Sequence, residues 1–486
     1  MMANRPAPSG DLAGASIGRT RDVINRPARR LGRHLIGLIA AAGITLAPVA
    51  DAFAASLIRD AEIEATLRAY ADPIFAAAGL DTSAVQVHII NDKHINAFVS
   101  GGMQIFVHTG LLTEATTPNE VIGVLAHETG HITGGHLARA KEEIENRTIE
   151  AIIGILAGVA VGVASGNAGA GVGVGTLGQS IAQRNLLQYS QAQEGAADQA
   201  AYGLLEATQQ SPRGMVDFFK ILARQEALSS INQDPYLRTH PLTRNRVDAS
   251  EAALARSPYA DQKDSPEMML RHERMLAKLN GYLLPFGQVM NLYPEKDTGI
   301  PARYARAIAL YRASRLPESL AIMDSLLKDA PQDPFFIEQK AQILYENGRV
   351  VDALPLYQQA LDLAPAEPLI RQELATAQIQ MAEDAESRGQ PVDPALLQSA
   401  AANLNEVVRL EPKNPTAYRQ LAIAYGRSGN MPMADLSQAE ERLARGKNKE
   451  AKAFAERALG ALPEGSPGWL RAQDIQFAAD QAQEDD

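Results

Sequence analysis

Prolines recur at a fixed interval late in the chain: Pro331 and Pro365 are 34 residues apart, and so are Pro334 and Pro368. A period of that length belongs to a helix-turn-helix unit that cannot bury its apolar face alone and must stack on a neighbour. Within the unit, Ala353, Tyr357 and Ala360 fall as small, large and small residues along one helix. A second unit starts at Pro415 and carries Tyr418, Leu421, Tyr425 and Ala434. Between Pro365 and Pro412 the interval grows to 47, which reads as a loop inserted at Arg388–Pro394. A degenerate unit precedes Pro331, and the array ends near Pro463. Residues 300–470 are therefore expected to form an α-solenoid, with a frayed acidic tail over 471–486.

A chain of 486 residues is too long for one ordinary core and implies two or three domains. It has no cysteine, which excludes a thiol nucleophile, a disulfide framework and any thiolate metal site. A metal here must use His, Asp or Glu. Arg26, Arg29, Arg30 and Arg33 precede an uncharged stretch from Leu35 to Ala50, and Ala52-Phe53-Ala54 offers an A-x-A cleavage position. Residues 1–54 thus read as a secretory signal peptide, with a retained membrane anchor as the alternative. They carry seven Arg and three Asp, so the rest stands near −15 against −11 for the whole chain. Such acidity argues against a nucleic-acid partner.

An amphipathic helix is expected over 56–78, strands over Val85–Ile90 and Gln104–His108, and a helix from about 118 to 148. From Ala151 to Gln183 there is no charged residue, and Gly154, Gly158, Gly162 and Gly166 recur every four. The apolar part is shorter than the ~20 residues of a membrane span. A flexible hairpin over the site, a membrane-dipping loop and a buried hairpin all fit it. Helices are expected again over 184–206, 212–228 and 243–256, and 261–299 reads as a helical linker to the repeats.

His127-Glu128-Thr129-Gly130-His131 carries the chemistry. Helical positions i and i+4 share a face, so His127 and His131 can offer two imidazoles to one ion, with Glu128 beside a metal-activated water. A third ligand at the spacing of the longer HExxHxxGxxH motif fails. Gly134 is in place, but position 137 is Leu and the histidine is His136. On a continuing helix His136 would point roughly 140° away from His131, so it reads as a packing or hydrogen-bonding residue. Glu194 and Asp198 offer the other route. They share one face of a later helix, so Glu194 can bind metal while Asp198 reaches a histidine or the substrate.

Asn96-Ala97-Phe98, Gly101-Gly102, Gly110-Leu111-Leu112, His127–His131, Glu194-x-x-Ala197-Asp198 and His240-Pro241 occur in the order found in the M48 metallopeptidases, which the chain resembles over roughly residues 60–470. Gly195, Ala196 and Gln191 depart from the family pattern. The resemblance implies a mainly α protein: a zincin-like α+β metallopeptidase domain with a small sheet over 55–260, then tetratricopeptide repeats. It implies one zinc ion held by His127, His131 and Glu194, with Glu128 as base. The family gives a proton-donor role to the residue matching Asp198; orienting a zinc histidine is the alternative. His240, with Arg246, would stabilise an oxyanion, or His240 would fill the fourth zinc position and keep the enzyme inhibited.

The leader, the site and the repeats together predict an exported, periplasmic zinc endopeptidase, with membrane association through 151–183 under the membrane-dipping reading of that segment. The resemblance makes misfolded or unassembled outer-membrane proteins its substrates and the β-barrel assembly machinery its partner through the repeats. A repeat-based chaperone or scaffold with a latent protease site is the alternative. Asn96–Val99 and Gln104–His108 are expected to form the cleft edge on which an extended substrate adds as a strand.

Overall fold

The computed structural model describes residues 57–100, 103–136, 191–228, 236 and 240–484. The leader expected over 1–54 and the glycine-rich segment over 151–183 lie outside these residues. A four-stranded sheet is built from β1 (Leu57–Ile58), β2 (Gln86–Ile90), β3 (Ala97–Ser100) and β4 (Gln104–His108), in the order β1-β2-β4-β3. β2 and β4 run parallel, with Ile89 opposite Val107, while β3 returns antiparallel with Phe98 opposite Phe106. Of the two segments expected to border the cleft, β4 is therefore interior and β3 is an edge among the described residues. Leu57 was expected on the first helix. It pairs instead with Ile90 in β1, and the helix α1 (Ala61–Ala77) starts only where Asp60 caps it by accepting from Ile63 N.

Against the sheet lie α2 (Thr109–Glu114) and α3 (Pro118–Thr133). α3 begins where its sequence dictates. Thr117 accepts the Glu120 N–H, Pro118 occupies the first turn, and Glu120 reaches back to Thr116 N at 2.5 Å, much as a capping box does. Nearly every residue from Val121 to Gly130 is buried. A helix over 191–207, here α4, follows, then α5 (Arg213–Leu228) and α6 (Arg244–Arg256). Leu67, Tyr70, Ile89, Val107, Leu125, Leu205 and Phe218 belong to one core shared by these elements.

α7 (Pro266–Leu283), expected as a linker, is a shared structural helix. Its Met275 and Leu279 are buried in that same core, and the buried His272 Nε2 lies 3.0 Å from Ala115 O. Its other face meets α9 (Ile300–Arg312) so closely that a Cβ on Gly281 would lie 2.9 Å from Ile308 Cβ. α8 (Phe286–Leu292) bridges the two.

The repeats then stack as α9 with α10 (Leu316–Asp329), α11 (Pro334–Glu346) with α12 (Val350–Leu363), α13 (Pro368–Ser387) with α14 (Pro394–Leu410), and α15 (Pro415–Arg427) with α16 (Met431–Ala444), each hairpin packed on the next. Ala353, Tyr357 and Ala360 are all buried between helices. Two further helices, α17 (Asn448–Ala461) and α18 (Pro467–Glu484), continue the stack. The acidic tail expected from 471 is thus helical through Glu484, and Ala472, Ile475 and Ala479 are buried. Alanine and isoleucine three and four residues apart outweigh the acidic end, because they pack their shared face against the alanines of α17.

Candidate metal centre

α3 and α4 bring the chemistry together because both are thin where they meet. A Cβ on Gly130 would lie 2.7 Å from Ala197 O, so glycine at the fourth position of His127–His131 lets α4 approach. Glu194 and Asp198 sit one turn apart on the face of α4 that also buries Ala197, Ala201 and Leu205. Gly195 and Ala196 turn away: a Cβ on Gly195 meets nothing among the described residues, and Ala196 is exposed. Their departure from the family pattern leaves the site untouched.

One ligand atom each from His127, His131, Glu194 and His240 lies within 4.8 Å of the others. Glu194 is the centre of this group. Its Oε2 is 3.3 Å from His127 Nε2 and its Oε1 is 3.2 Å from His131 Nε2 and 3.0 Å from His240 Nδ1. His131 Nε2 and His127 Nε2 are 3.1 Å apart, and His240 Nδ1 is 3.4 Å from His127 Nε2. Three imidazole nitrogens and a carboxylate converging without sulfur form an N/O donor set that suits a borderline cation such as zinc. Glu128 borders the cluster. It is fully buried, and among the described residues neither of its oxygens accepts a hydrogen bond. An orphaned carboxylate so placed fits a proton acceptor for water at a metal.

Behind the donors stands a second layer of charge. Asp198 Oδ1 lies 2.9 Å from His127 Nδ1, at ion-pair distance but off the ideal hydrogen-bond direction. Arg246 clamps Asp198 with two bonds, Nε to Oδ2 at 2.7 Å and Nη2 to Oδ1 at 2.9 Å. Its third nitrogen reaches Glu194 Oε2 at 2.9 Å and Pro241 O at 3.1 Å. Arg246 therefore turns its donors on the two carboxylates of α4, where an oxyanion-binding side chain would face open space. Burial alone would raise the Asp198 carboxyl, but contact with His127 and Arg246 outweighs it and lowers it. Burial would likewise push the His127 imidazolium down, but Asp198 and Glu194 raise it to about 10. The carboxylates that raise it would also attract a cation, which must displace that proton to bind the imidazole.

The spacing of His127, Glu128 and His131 and the pair Glu194/Asp198 indicated five of these side chains. Two more stand beside them: Tyr236, which emerges only from the fold, and His136, whose expected hydrogen-bonding role gains its partner here. Tyr236 stacks on His240 with ring centroids 4.6 Å apart and is itself met edge-on by Phe218. His136 Nδ1 lies 3.0 Å from His131 Nδ1. The paired glycines before His136 were the available signal for the second; nothing in the sequence marks Tyr236.

A buried helix bearing two histidines and a glutamate, completed by a carboxylate from a neighbouring helix, defines a metallohydrolase of the zincin type. Residues 57–253 match peptidase family M48, and the chain carries a metallopeptidase domain of that family. It is 26% identical over 334 residues to the beta-barrel assembly-enhancing protease of Yersinia pestis, covering 67% of each chain. To the Escherichia coli K12 protein of the same name it is 25% identical over 300 residues, 60% of each chain. To the metalloprotease LoiP of Escherichia coli K12 it is 32% identical over 155 residues, 32% of this chain and 57% of that one. The match thus spans about two thirds or less of these relatives.

Proposed function

We propose that the chain is a zinc-dependent endopeptidase that cleaves unfolded or unassembled envelope proteins in the periplasm, with its repeats recruiting substrates or the outer-membrane assembly machinery. The observation that carries it is the convergence of His127, His131, Glu194 and His240 beside the orphaned Glu128. His127, His131 and Glu194 hold the metal. A bound zinc ion supplies Lewis acidity, polarising a peptide carbonyl and lowering the pKa of water toward neutrality. Glu128 takes the proton of the attacking water and returns it to the leaving amine. Asp198 contacts His127 Nδ1 and keeps Nε2 turned toward the donors, a role more consistent with its clamp on Arg246 than proton donation. Arg246 fixes both acidic side chains of α4. β3, an edge of the sheet among the described residues and packed against α3, would offer its outer backbone groups to an extended substrate.

The envelope location and outer-membrane substrates follow from the leader expected over 1–54 and from the names borne by the relatives. Among the described residues no helix is long and apolar enough to cross a membrane. Membrane contact through 151–183 remains part of the proposal. Glu128→Gln should keep stoichiometric zinc, measured by atomic absorption, while hydrolysis of an unfolded reporter protein falls by about 10²–10⁴-fold. Full activity in that variant would exclude the mechanism. Full rescue of envelope phenotypes by the inactive variant would instead favour a repeat-based scaffold.

A further inference from the structure

α3 stops two residues beyond His131, and the way it stops places a second histidine behind the first. Gly134 closes the helix, and Gly135 adopts φ +62, a left-handed conformation that few side chains tolerate. The turn folds His136 back against the helix end. A Cβ on Gly134 would lie 2.5 Å from His136 Nε2 and 2.7 Å from its Cε1, so only glycine leaves room for the ring. His136 is buried, its ring edge-on to that of His131 with centroids 5.0 Å apart. The two Nδ1 atoms are 3.0 Å apart, while His131 Nε2 faces Glu194 and His127 on the opposite side of the ring.

Proton bookkeeping on these rings is restrictive. Two facing nitrogens form a hydrogen bond only if one donates and the other accepts. A metal at His131 Nε2 needs the lone pair there, which leaves the His131 proton on Nδ1. His136 Nδ1 must then accept, and the proton of His136 must sit on its Nε2. We propose that His136 is a positioning residue for His131: its Nδ1 accepts the His131 Nδ1–H, fixing the tautomer and ring orientation that present Nε2 to the metal. The proposal rests on the metal reading above. It also sets the two motif histidines apart, since His127 is backed by the carboxylate of Asp198 and His131 by a neutral acceptor.

Asparagine tests this directly, because its Oδ1 occupies the same place along the side chain as histidine Nδ1 and is an acceptor. Zinc affinity of the full chain, measured by competition with a chromophoric chelator, should fall about 10–100-fold in His136→Leu and return most of the way to wild type in His136→Asn. Equal weakening in both variants would mean that the ring merely packs, and would overturn the proposal; so would undiminished affinity in His136→Leu. If the leucine variant does not fold, His136→Ala replaces it in the comparison, with the same outcomes. Wild-type chain that bound no zinc would remove the metal reading before any substitution was made, and this proposal with it.

Discussion

His240 reaches the donor cluster from outside α3 and α4. Its Nδ1 lies among the other donors, its Nε2 is 3.7 Å from Glu128 Oε1, and Tyr236 stacks along its face. Three contacts of this kind favour the inhibitory reading over oxyanion binding, because a fourth protein donor at the metal leaves substrate no place. On that reading His240→Ala should raise basal turnover of an unfolded reporter, by roughly tenfold if the closed state is held by about 1.4 kcal/mol. Unchanged or lower turnover would return His240 to the oxyanion role. At this scale the sequence is legible where helix geometry fixes the answer. His127 and His131 share a face whatever the fold, and so do Glu194 and Asp198. The partners of Arg246 are not legible, because a clamp spanning 48 residues depends on how α6 docks against α4.

Among the elements, the repeat spacing is informative and its interruption is misleading. The unit beginning at Ile300 has the same plan as the one at Pro334: 13 residues, a short turn, then 14. What makes it look degenerate is the turn. Gly348 takes φ +72 between α11 and α12, while Ser314, 34 residues earlier, takes φ +60 with a side chain to accommodate. Ser314→Gly should therefore stabilise the chain by about 0.5–1 kcal/mol, the left-handed penalty relieved less the entropy cost of glycine. A urea titration would show it as a higher midpoint, and a lower midpoint would mean that the serine hydroxyl matters more than the backbone. The 47-residue interval is likewise not a loop insertion. α13 has 20 residues against 13 in α11, and α14 has 17 against 14 in α12, so most of the added chain lengthens the helices. Proline spacing reports the length of a unit, and helical residues and loop residues count alike in it.

Across the whole molecule, the peptidase part and the repeats are fastened by a buried ionic junction. Lys278 of α7 is fully buried, 2.8 Å from Asp60 and 3.6 Å from Glu338 of α11. Arg274 bonds Glu62 of α1 and Asp333 before α11, and lies 4.0 Å over the Phe336 ring. Tyr304 of α9 donates to Glu62 at 2.8 Å, and Arg59 reaches Glu411 beyond α14 at 2.6 Å. A fragment of residues 55–260, the peptidase domain as its sequence delimits it, lacks Met275, Leu279 and His272. It should show no cooperative thermal transition, and a sharp one would show that α7 is dispensable to that core. The junction also predicts a pH dependence. Burial raises the coupled carboxyls of Glu338 and Glu373 above the usual carboxylate range even though Lys278 opposes it. The folded state then holds a proton on this pair that the unfolded state, with its ordinary 4.5, has released. Stability from the pair is full below about pH 4.5 and is lost as pH rises through the raised titration of the folded pair. The melting midpoint should fall with rising pH relative to the double variant Glu338→Gln/Glu373→Gln, and parallel curves would assign the dependence elsewhere.

Short-range pattern settled what can be decided within a turn or a repeat: two histidines and a glutamate on one helix, an acidic pair on another, helical units of fixed length, and a metal site without sulfur. Those features depend on local periodicity, which any fold must respect. Packing alone decided the rest. It made the expected linker a shared core helix, moved Leu57 into the sheet, and ended α3 early enough for His136 to fold back on His131. It also turned Arg246 onto Asp198 and Glu194. Each of these is set by which surfaces meet, and that information is spread over residues far apart in the chain. His127–His131 thus identified the chemistry, while the contacts around those five residues depend on which elements the fold brings against α3.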